Sequence, residues 1–232
     1  MRALAPDLWI ADRPLRFFGI GIGARMTVIR LPGSRLLLHS PVAYSRRLAE
    51  QVEKLGTPAI LVAPNRFHHL FIRGWQTAYP GAHTYAAPGV TAKRRDIGVN
   101  GTLGGPPPAD WPDLVDQTLV EGFPLANEVV LFHRPTSTLV TSDLVFNVGA
   151  HSPTLTRLAF RLTGAYGRPS STLLERFFVR DRAAFRRSLQ RILEWPIVRL
   201  VMAHGAVVES GGHAALERAY SWILGGSAGR AN

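Results

Sequence analysis

Four side chains that can bind a metal follow short apolar runs in this sequence. Short apolar runs of this kind are typical of buried strands, and the loops beyond strand ends are common places for binding residues. Imidazole and carboxylate groups placed there are ligands for a divalent metal. The sequence therefore predicts a metal site, and its candidate ligands are His68, His69, Asp143 and His204.

The absence of cysteine narrows the choice of metal. With no cysteine in the chain, disulfide frameworks and thiolate sites are excluded, and a metal would bind to nitrogen and oxygen ligands. This favours one zinc, iron or manganese ion over an iron–sulfur cluster. No glycine-rich phosphate loop or serine nucleophile elbow competes with the metal site. The sequence leaves open a protein that binds no metal at all.

The elements that must position these residues can be predicted from apolar spacing and turn residues. Leu48, Val52 and Leu55 recur at helical spacing, and Asp181 can cap a later helix. The predicted strands cover 8–11, 26–31, 35–39, 59–63, 80–87, 118–122, 128–133, 138–143 and 198–203. The predicted helices cover 45–55, 69–78, 182–195 and 214–224.

This order of elements predicts an α+β fold. Groups of strands alternate with helices, and the strands after residue 118 form an antiparallel meander, so two mixed sheets should pack face to face with helices outside them. The expected architecture is a four-layer αββα sandwich. At 232 residues with 46% hydrophobic content, the chain is predicted to form one domain over 1–232.

The segment from about 147 to 180 is predicted to be a helical insertion. Leucine and phenylalanine alternate there with Arg157, Arg161 and Arg168. Such a pattern fits an amphipathic helix laid over the site or against a membrane surface, and it also fits ordinary packing of an outer helix.

The charge of the chain raises the question of its partners. The formal net charge is +11, which is typical of proteins that bind nucleic acid or anionic surfaces. The basic residues are spread along the chain, however, and no nucleic-acid recognition motif accompanies them. A small anionic substrate or ligand is the predicted partner, with nucleic acid as an alternative. Without an apolar leader or a stretch of about 18 apolar residues, we expect a cytoplasmic protein with no transmembrane segment.

Several motifs together resemble the metallo-β-lactamase fold. In that fold a His-bearing loop follows an early buried strand, a middle motif ends in a bridging Asp or Cys, and a late His follows a strand. The chain has these features in the same order. It resembles more closely the DUF4336 branch of that fold, through the segments Arg25–Arg30, Leu38–Val42, Val62–Asn65 with Phe67–His69, and Ser142–Asn147.

The resemblance implies that the first of the fold's two metal sites is not formed. The His-rich loop of the fold reads Thr-His-x-His-x-Asp-His. If His69 corresponds to its last His, then His68 stands on its Asp, Arg66 on its second His and Pro64 on its first. Both early ligands of the first site are therefore replaced.

The resemblance also implies a second site that survives. Its counterparts here are His68, His69, Asp143 and His204, which would give a mononuclear site with three imidazoles and one carboxylate. In hydrolytic members the Asp replaced by His68 orients the attacking water, so the usual two-metal hydrolysis is not predicted.

Four further residues are predicted to support the site or bind a ligand. His39 stands where the fold commonly has a supporting Asp, and packing alone is an equal alternative. Asn65 lies between the replaced ligand positions, and Arg66 could hold an anion or fill the vacated volume. His133 ends an apolar strand beside a turn and is the fourth candidate.

Two functions remain open. The first is a metal-dependent hydrolase of unknown substrate. The second is a non-catalytic member of the fold that binds an anionic ligand or partner through Arg66 and the basic helices. Metal content distinguishes them.

Overall fold

The computed structural model describes residues 1–108, 110–111 and 113–225. The strands are β1 Arg2–Ala5, β2 Leu8–Arg13, β3 Arg16–Phe17, β4 Ile20–Gly21, β5 Ala24–Leu31, β6 Arg35–His39, β7 Thr57–Ala63, β8 His83–Ala86, β9 Gly101–Thr102, β10 Val115–Leu119, β11 Val129–His133, β12 Thr138–Val140 and β13 Arg199–Val201. The helices are α1 Arg46–Glu53, α2 Ile72–Ala78, α3 Val90–Lys93, α4 Thr154–Leu162, α5 Leu173–Phe178, α6 Arg182–Leu193, α7 Gly212–Ala219 and α8 Ser221–Leu224.

The larger sheet positions the histidine loop. Its seven strands lie in the order β1-β2-β5-β6-β7-β8-β9. The pairs β6–β7 and β7–β8 are parallel, while β5 is antiparallel to β6. Parallel neighbours end at the same edge of a sheet. The segments after β6 and after β7, which hold Ser40 and His68, therefore leave the sheet side by side.

The smaller sheet positions the other two predicted ligands. Its order is β10-β11-β12-β13, with β12 parallel to β13 and the other pairs antiparallel. Asp143 follows β12 and His204 follows β13, so the parallel pairing brings both residues to one edge. Because β11 runs in the opposite direction, its first residues reach that same edge, and Glu128 precedes them there.

The core lies in two layers on either side of the smaller sheet. Val129 and Leu131 pack against the larger sheet, whereas Val130 and Phe132 pack under α6, α7 and α8. This alternation follows from the two-residue period of a strand. Helices α1 and α2 cover the outer face of the larger sheet with Leu48 and other apolar side chains. The predicted four-layer αββα sandwich of two mixed sheets is confirmed.

Helix ends follow the expected capping chemistry. The hydroxyl of Ser45 accepts a hydrogen bond from the Leu48 N–H at the start of α1. The Asp181 carboxylate accepts one from Ala184 at the start of α6. Both caps satisfy N–H groups that have no partner within the helix.

Several predicted boundaries differ from the observed ones, since the strand expected at 118–122 lies at Val115–Leu119 and the helix expected at 214–224 is divided into α7 and α8. The segment predicted as a helical insertion, from about 147 to 180, contains two short helices, α4 and α5, joined by a loop. The β3–β4 hairpin was not predicted, because its strands have two residues each and leave no periodic signal. The prediction of one domain over 1–232 includes 226–232, which lie outside the described residues.

None of the helices in the described parts of the chain is long and apolar enough to cross a membrane.

Gly205 should be sensitive to substitution, because it follows His204 where the chain presses against the backbone of Asn147. Its φ is +88°, and a Cβ there would overlap the Asn147 carbonyl. We expect Gly205→Ala to lower the free energy of unfolding by about 2–4 kcal/mol, since a positive φ and a backbone clash add. Urea unfolding measures this. Gly81→Ala is the control, because a Cβ at Gly81 meets open space, and an equal loss in both variants would contradict the expectation.

Candidate metal centre

Three side chains point at one another where the two sheets end. The Nε2 atoms of His68 and His204 are 3.3 Å apart, and Asp143 Oδ1 lies 3.4 Å from the first and 3.3 Å from the second. The imidazoles of His68 and His204 are almost fully buried, and the Asp143 side chain is 20% exposed. The centre is therefore a nearly equilateral triangle of two nitrogens and one oxygen, open on the carboxylate side.

The orientation of His204 is fixed by its other ring nitrogen. His204 Nδ1 lies 2.8 Å from the Gly23 carbonyl oxygen. A carbonyl can only accept a hydrogen bond, so Nδ1 carries the proton, and in the neutral ring the lone pair of Nε2 faces the triangle. The ring also stacks on Phe146, with centroids 5.6 Å apart and planes 7° from parallel. This is the tautomer that a metal-binding histidine requires.

His68 is held by a hydroxyl group. Ser40 Oγ lies 2.6 Å from His68 Nδ1. Ser40 directly follows β6 and has a φ of +52°, a strained backbone for a serine. The bond aims His68 Nε2 at the triangle, whichever of the two groups donates.

Asp143 is held from behind by an amide and a second carboxylate. Asn65 Nδ2 donates to Asp143 Oδ2 (2.8 Å) and to Glu128 Oε2 (3.1 Å). Glu128 in turn accepts the backbone N–H groups of Ser142 and Asp143, each at 2.7 Å. These bonds leave Asp143 Oδ1 free to face the two imidazoles.

Asn65 also shapes the histidine loop. Its Oδ1 accepts hydrogen bonds from the backbone N–H groups of Phe67 and His68, both at 2.8 Å. An asparagine that bonds its own chain two and three residues ahead makes a tight turn. Asn65 is fully buried, and it joins the His68 loop, Asp143 and Glu128 in one network.

The charges in the centre are strongly coupled. Burial raises the pKa of Asp143, but the charge of His68 and the close contacts with the His204 and His68 imidazoles outweigh it and hold the pKa well below its usual range. Burial lowers the pKa of His68, but the charge of Asp143 and the hydrogen bond to it raise the pKa overall. Asp143 is thus a carboxylate facing groups that stabilise its negative charge.

The pKa of Glu128 is shifted in the opposite direction to that of Asp143. Its burial and the nearby Asp143 charge raise its pKa to about 7, although the backbone hydrogen bonds from Ser142 and Asp143 lower it. A cation in the triangle would offset the charge of Asp143 and so favour ionised Glu128.

The triangle fits a zinc-sized ion. A tetrahedral zinc with ligands at about 2.0–2.1 Å has ligand atoms about 3.3–3.4 Å apart. The observed separations are 3.3, 3.4 and 3.3 Å. The donor set of two imidazoles and one carboxylate suits zinc, iron or manganese. Three protein ligands leave a fourth position, as in catalytic rather than structural zinc sites.

The structure separates the two adjacent histidines. His68 belongs to the metal-competent group with Asp143 and His204, whereas His69 does not. Arg94 Nη1 donates to His69 Nδ1 (3.2 Å) and to the His69 carbonyl (2.8 Å). Burial and the charges of Arg94 and Lys93 lower the pKa of His69. The hydrogen bonds of His69 therefore join the histidine loop to the end of α3. The metal-competent group contains three of the four predicted ligands, His68, Asp143 and His204.

His39 lies in the sheet next to the centre. It ends β6, pairs with Val62 and is 1% exposed, and its Nε2 has no hydrogen-bond partner in the described chain. Burial and the charge of His68 lower its pKa to about 3. It is therefore a buried, neutral imidazole.

This burial predicts an acid-sensitive contribution to stability. The unfolded chain binds a proton at His39 below about pH 6.5, whereas the folded protein resists it down to about pH 3. Stability from this residue is complete above 6.5 and falls as the pH drops, by up to about 1.4 kcal/mol per pH unit. As the pH falls from about 6 to 4, we expect the free energy of unfolding to decline less steeply in His39→Met than in the wild type.

Urea unfolding across that range measures the decline. His151→Gln, at an exposed histidine, should keep the wild-type slope. A His39→Met slope equal to wild type would refute the assignment.

Arg66 and His133 lie outside the triangle. Arg66 Nη1 donates to the Pro124 carbonyl (2.8 Å), and the side chain packs beside Gly89. His133 bonds Thr136 at 2.7 Å and ends β11 at the edge opposite Glu128. The antiparallel direction of β11 carries His133 away from the triangle, and a ligand-binding role for His133 stays a prediction.

Two members of the network were missed from the sequence. Glu128 is a lone carboxylate at the start of an apolar strand, and that position was the available signal. Ser40 follows β6 in the segment Leu38–Val42, and no residue pattern distinguished it from a turn serine.

Comparison with solved structures identifies the fold of this chain. No family model and no curated protein matches the sequence. A metallo-β-lactamase from Pontibacter korlensis matches with a TM-score of 0.65 at 13% identity, over 96% of this chain and 97% of that one. DIM-1 metallo-β-lactamase exposed to ceftazidime matches with a TM-score of 0.66 at 15% identity, over 97% and 95%. The chain has the metallo-β-lactamase fold.

A third matching structure is a metallo-β-lactamase solved with one zinc ion. FIM-1 metallo-β-lactamase from Pseudomonas aeruginosa, in its mono-zinc form, matches with a TM-score of 0.62 at 12% identity, over 98% of this chain and 96% of that one. At such identities the likeness establishes the metallo-β-lactamase fold and leaves function to the residues of the site.

Proposed function

We propose that this protein binds one divalent metal ion through His68, Asp143 and His204 and acts as a mononuclear hydrolase. The observation that carries the proposal is the triangle of donor atoms, with separations of 3.3, 3.4 and 3.3 Å. The Gly23 carbonyl supports it by directing the lone pair of His204 Nε2 inward. Zinc, iron and manganese all suit this donor set.

The charge of the ligand set and the hydrogen bonds around it favour binding of a cation. Two uncharged imidazoles and one carboxylate give the ligand set a charge of −1, and Asn65 and Glu128 hold that carboxylate in place. When bound, a divalent metal lowers the pKa of water and polarises a carbonyl or phosphoryl group. The resemblance to the fold's signature implies that Pro64 and Arg66 replace two histidines of its first site, so a single ion rather than a pair is proposed.

The substrate is proposed to be a small anionic molecule. Arg66 lies on the same loop as His68, and its guanidinium pairs with no carboxylate among the described residues. A guanidinium can bind the planar oxygens of a carboxylate or phosphate group. The proposal concerns the class of ligand and leaves its identity open. Membership of the DUF4336 branch and a cytoplasmic location stay predictions.

A substrate screen tests the catalytic part of the proposal. Protein loaded separately with zinc, iron or manganese would be assayed on ester, thioester and phosphodiester substrates beside His204→Ala. We expect turnover by the wild type with at least one metal and a loss of about 100-fold or more in the variant, because a missing ligand costs more than a missing outer-shell partner. Equal rates with and without His204 would refute metal-dependent catalysis.

A second candidate function is binding without catalysis. His68 and Asp143 already form an ion pair when His68 is protonated, so the centre can be stable with a proton in place of a metal. In that case the protein would bind an anion through Arg66. Binding of an anionic ligand that is unchanged by a chelator, together with inactivity on every substrate, would favour this candidate.

A further inference from the structure

Helix α4 exposes a stripe of leucines on its outer face. Leu155, Leu158 and Leu162 stand three and four residues apart, so they share one face of the helix. All three are exposed, and Leu162 reaches 73%. The opposite face of the helix buries Phe160. The helix thus has one apolar face packed against the protein and a second apolar face in solvent. No part of the described chain covers this second face.

Helix α5 continues this surface. The Leu173 N–H donates to the Thr163 carbonyl (2.9 Å), and the Leu173 side chain packs beside Gly164 at the end of α4. Leu174 and Phe177 are also exposed, the latter by 81%. We name the six side chains the apolar surface: Leu155, Leu158, Leu162, Leu173, Leu174 and Phe177.

The β3–β4 hairpin packs against the other face of α4. Thr156 on α4 donates to the Gly21 carbonyl (2.7 Å), and Pro153 packs beside the same glycine. At the tip of this hairpin Phe18 is 90% exposed. Large apolar side chains are therefore exposed on three neighbouring elements. Single exposed apolar residues are normal on a protein surface, whereas such a group marks an interaction site.

The charge around the apolar surface has one sign. The segment 153–180 holds five arginines, at 157, 161, 168, 176 and 180, and a single acidic residue, Glu175. Glu175 is buried and accepts a hydrogen bond from Tyr220. None of the five arginines pairs with a carboxylate within the described ranges. The surface therefore presents uncompensated positive charge beside exposed apolar groups.

We propose that the apolar surface docks on an anionic lipid bilayer. Leucine and phenylalanine side chains would enter the boundary between headgroups and acyl chains, while the arginines bind lipid phosphates. A second copy of the chain fits less well, because a symmetric contact would bring two sets of the same five positive charges together. The proposal does not depend on metal binding or catalysis.

Vesicle flotation tests the proposal. The probes are phosphatidylcholine vesicles with and without about 30% phosphatidylglycerol. We expect the wild type to float only with the anionic vesicles. Leu162→Ser with Phe177→Ser should weaken binding by more than about 30-fold, since two apolar side chains no longer enter the bilayer. Arg168→Gln with Arg180→Gln should weaken it by roughly 20- to 30-fold, at about fivefold for each charge.

Matched variants control for charge and apolar content. Val198→Ser removes an exposed apolar side chain elsewhere, and Arg47→Gln with Arg218→Gln removes the same charge from α1 and α7. Both should float like the wild type. Circular dichroism checks that each variant folds.

Three results would overturn the proposal. The first is an absence of binding to anionic vesicles. The second is unchanged binding by the Leu162 and Phe177 variant, which would indicate attraction by net charge alone. The third is a wild-type dimer in light scattering that this variant converts to a monomer, which would assign the apolar surface to a second copy.

Discussion

Replacing His204 with alanine should remove bound metal almost completely. Wild-type protein purified without a histidine tag and dialysed is expected to hold about one ion per chain, and the variant less than about a tenth of that. The reason is geometric, because His204 Nε2 is one corner of a three-donor triangle and two remaining donors do not retain an ion through dialysis. Elemental analysis by inductively coupled plasma mass spectrometry measures the content.

The adjacent His69 supplies the matched control. His69→Ala removes an imidazole of the same loop that bonds Arg94 and stands outside the triangle. It should keep the metal of the wild type, whereas His68→Ala should lose it. If His69→Ala lost as much metal as His204→Ala, the ligand set would be different. A wild type that stays folded but takes up no added metal would favour the binding protein.

Replacing Asn65 with leucine should be the most destabilising single change at the centre. The substitution removes four hydrogen bonds, two to the Glu128 and Asp143 carboxylates and two from backbone N–H groups. It leaves buried polar groups without partners, and the two carboxylates lose the amide that lies between them. We expect the free energy of unfolding to fall by about 3–5 kcal/mol. Metal affinity should fall about 10- to 100-fold, because Asp143 loses its support.

Asn147→Leu is the control for this prediction. Asn147 also follows β12, but its side chain makes one exposed hydrogen bond, to the Ala206 carbonyl (2.9 Å). Its loss should cost no more than about 1 kcal/mol. Urea unfolding and zinc titration measure the two quantities. Similar losses in both variants would show that Asn65 has no special part in the centre.

The fold could be predicted from the sequence because its signals are local. Apolar runs such as 59–63 marked buried strands, and the Asp181 cap marked the start of α6. The meander predicted from residue 118 was visible because its three strands are consecutive, although its first strand begins at Val115. The hairpin at 16–21 could not be predicted, since it is stabilised by contacts with α4 that lie far along the chain.

The candidate centre was predicted only in part, for a reason of backbone geometry. His68 and His69 are identical in type, and only the turn made by Asn65 decides which imidazole faces Asp143. Alignment with the signature of the fold placed His69 on a histidine ligand and His68 on an aspartate, so it favoured His69 as a ligand at least as strongly as His68. The position of Glu128 at the start of a strand was a weak signal, because its partners, Asn65 and the Asp143 backbone, come together only when the sheets pack.

Anomalous diffraction from crystals grown with zinc tests the central claim most directly. Data collected on both sides of the zinc absorption edge locate the ion without assuming its ligands. The account predicts a single strong peak within coordination distance of His68 Nε2, Asp143 Oδ1 and His204 Nε2. A peak beside His69 instead, or no peak at the triangle in zinc-saturated crystals, would contradict it.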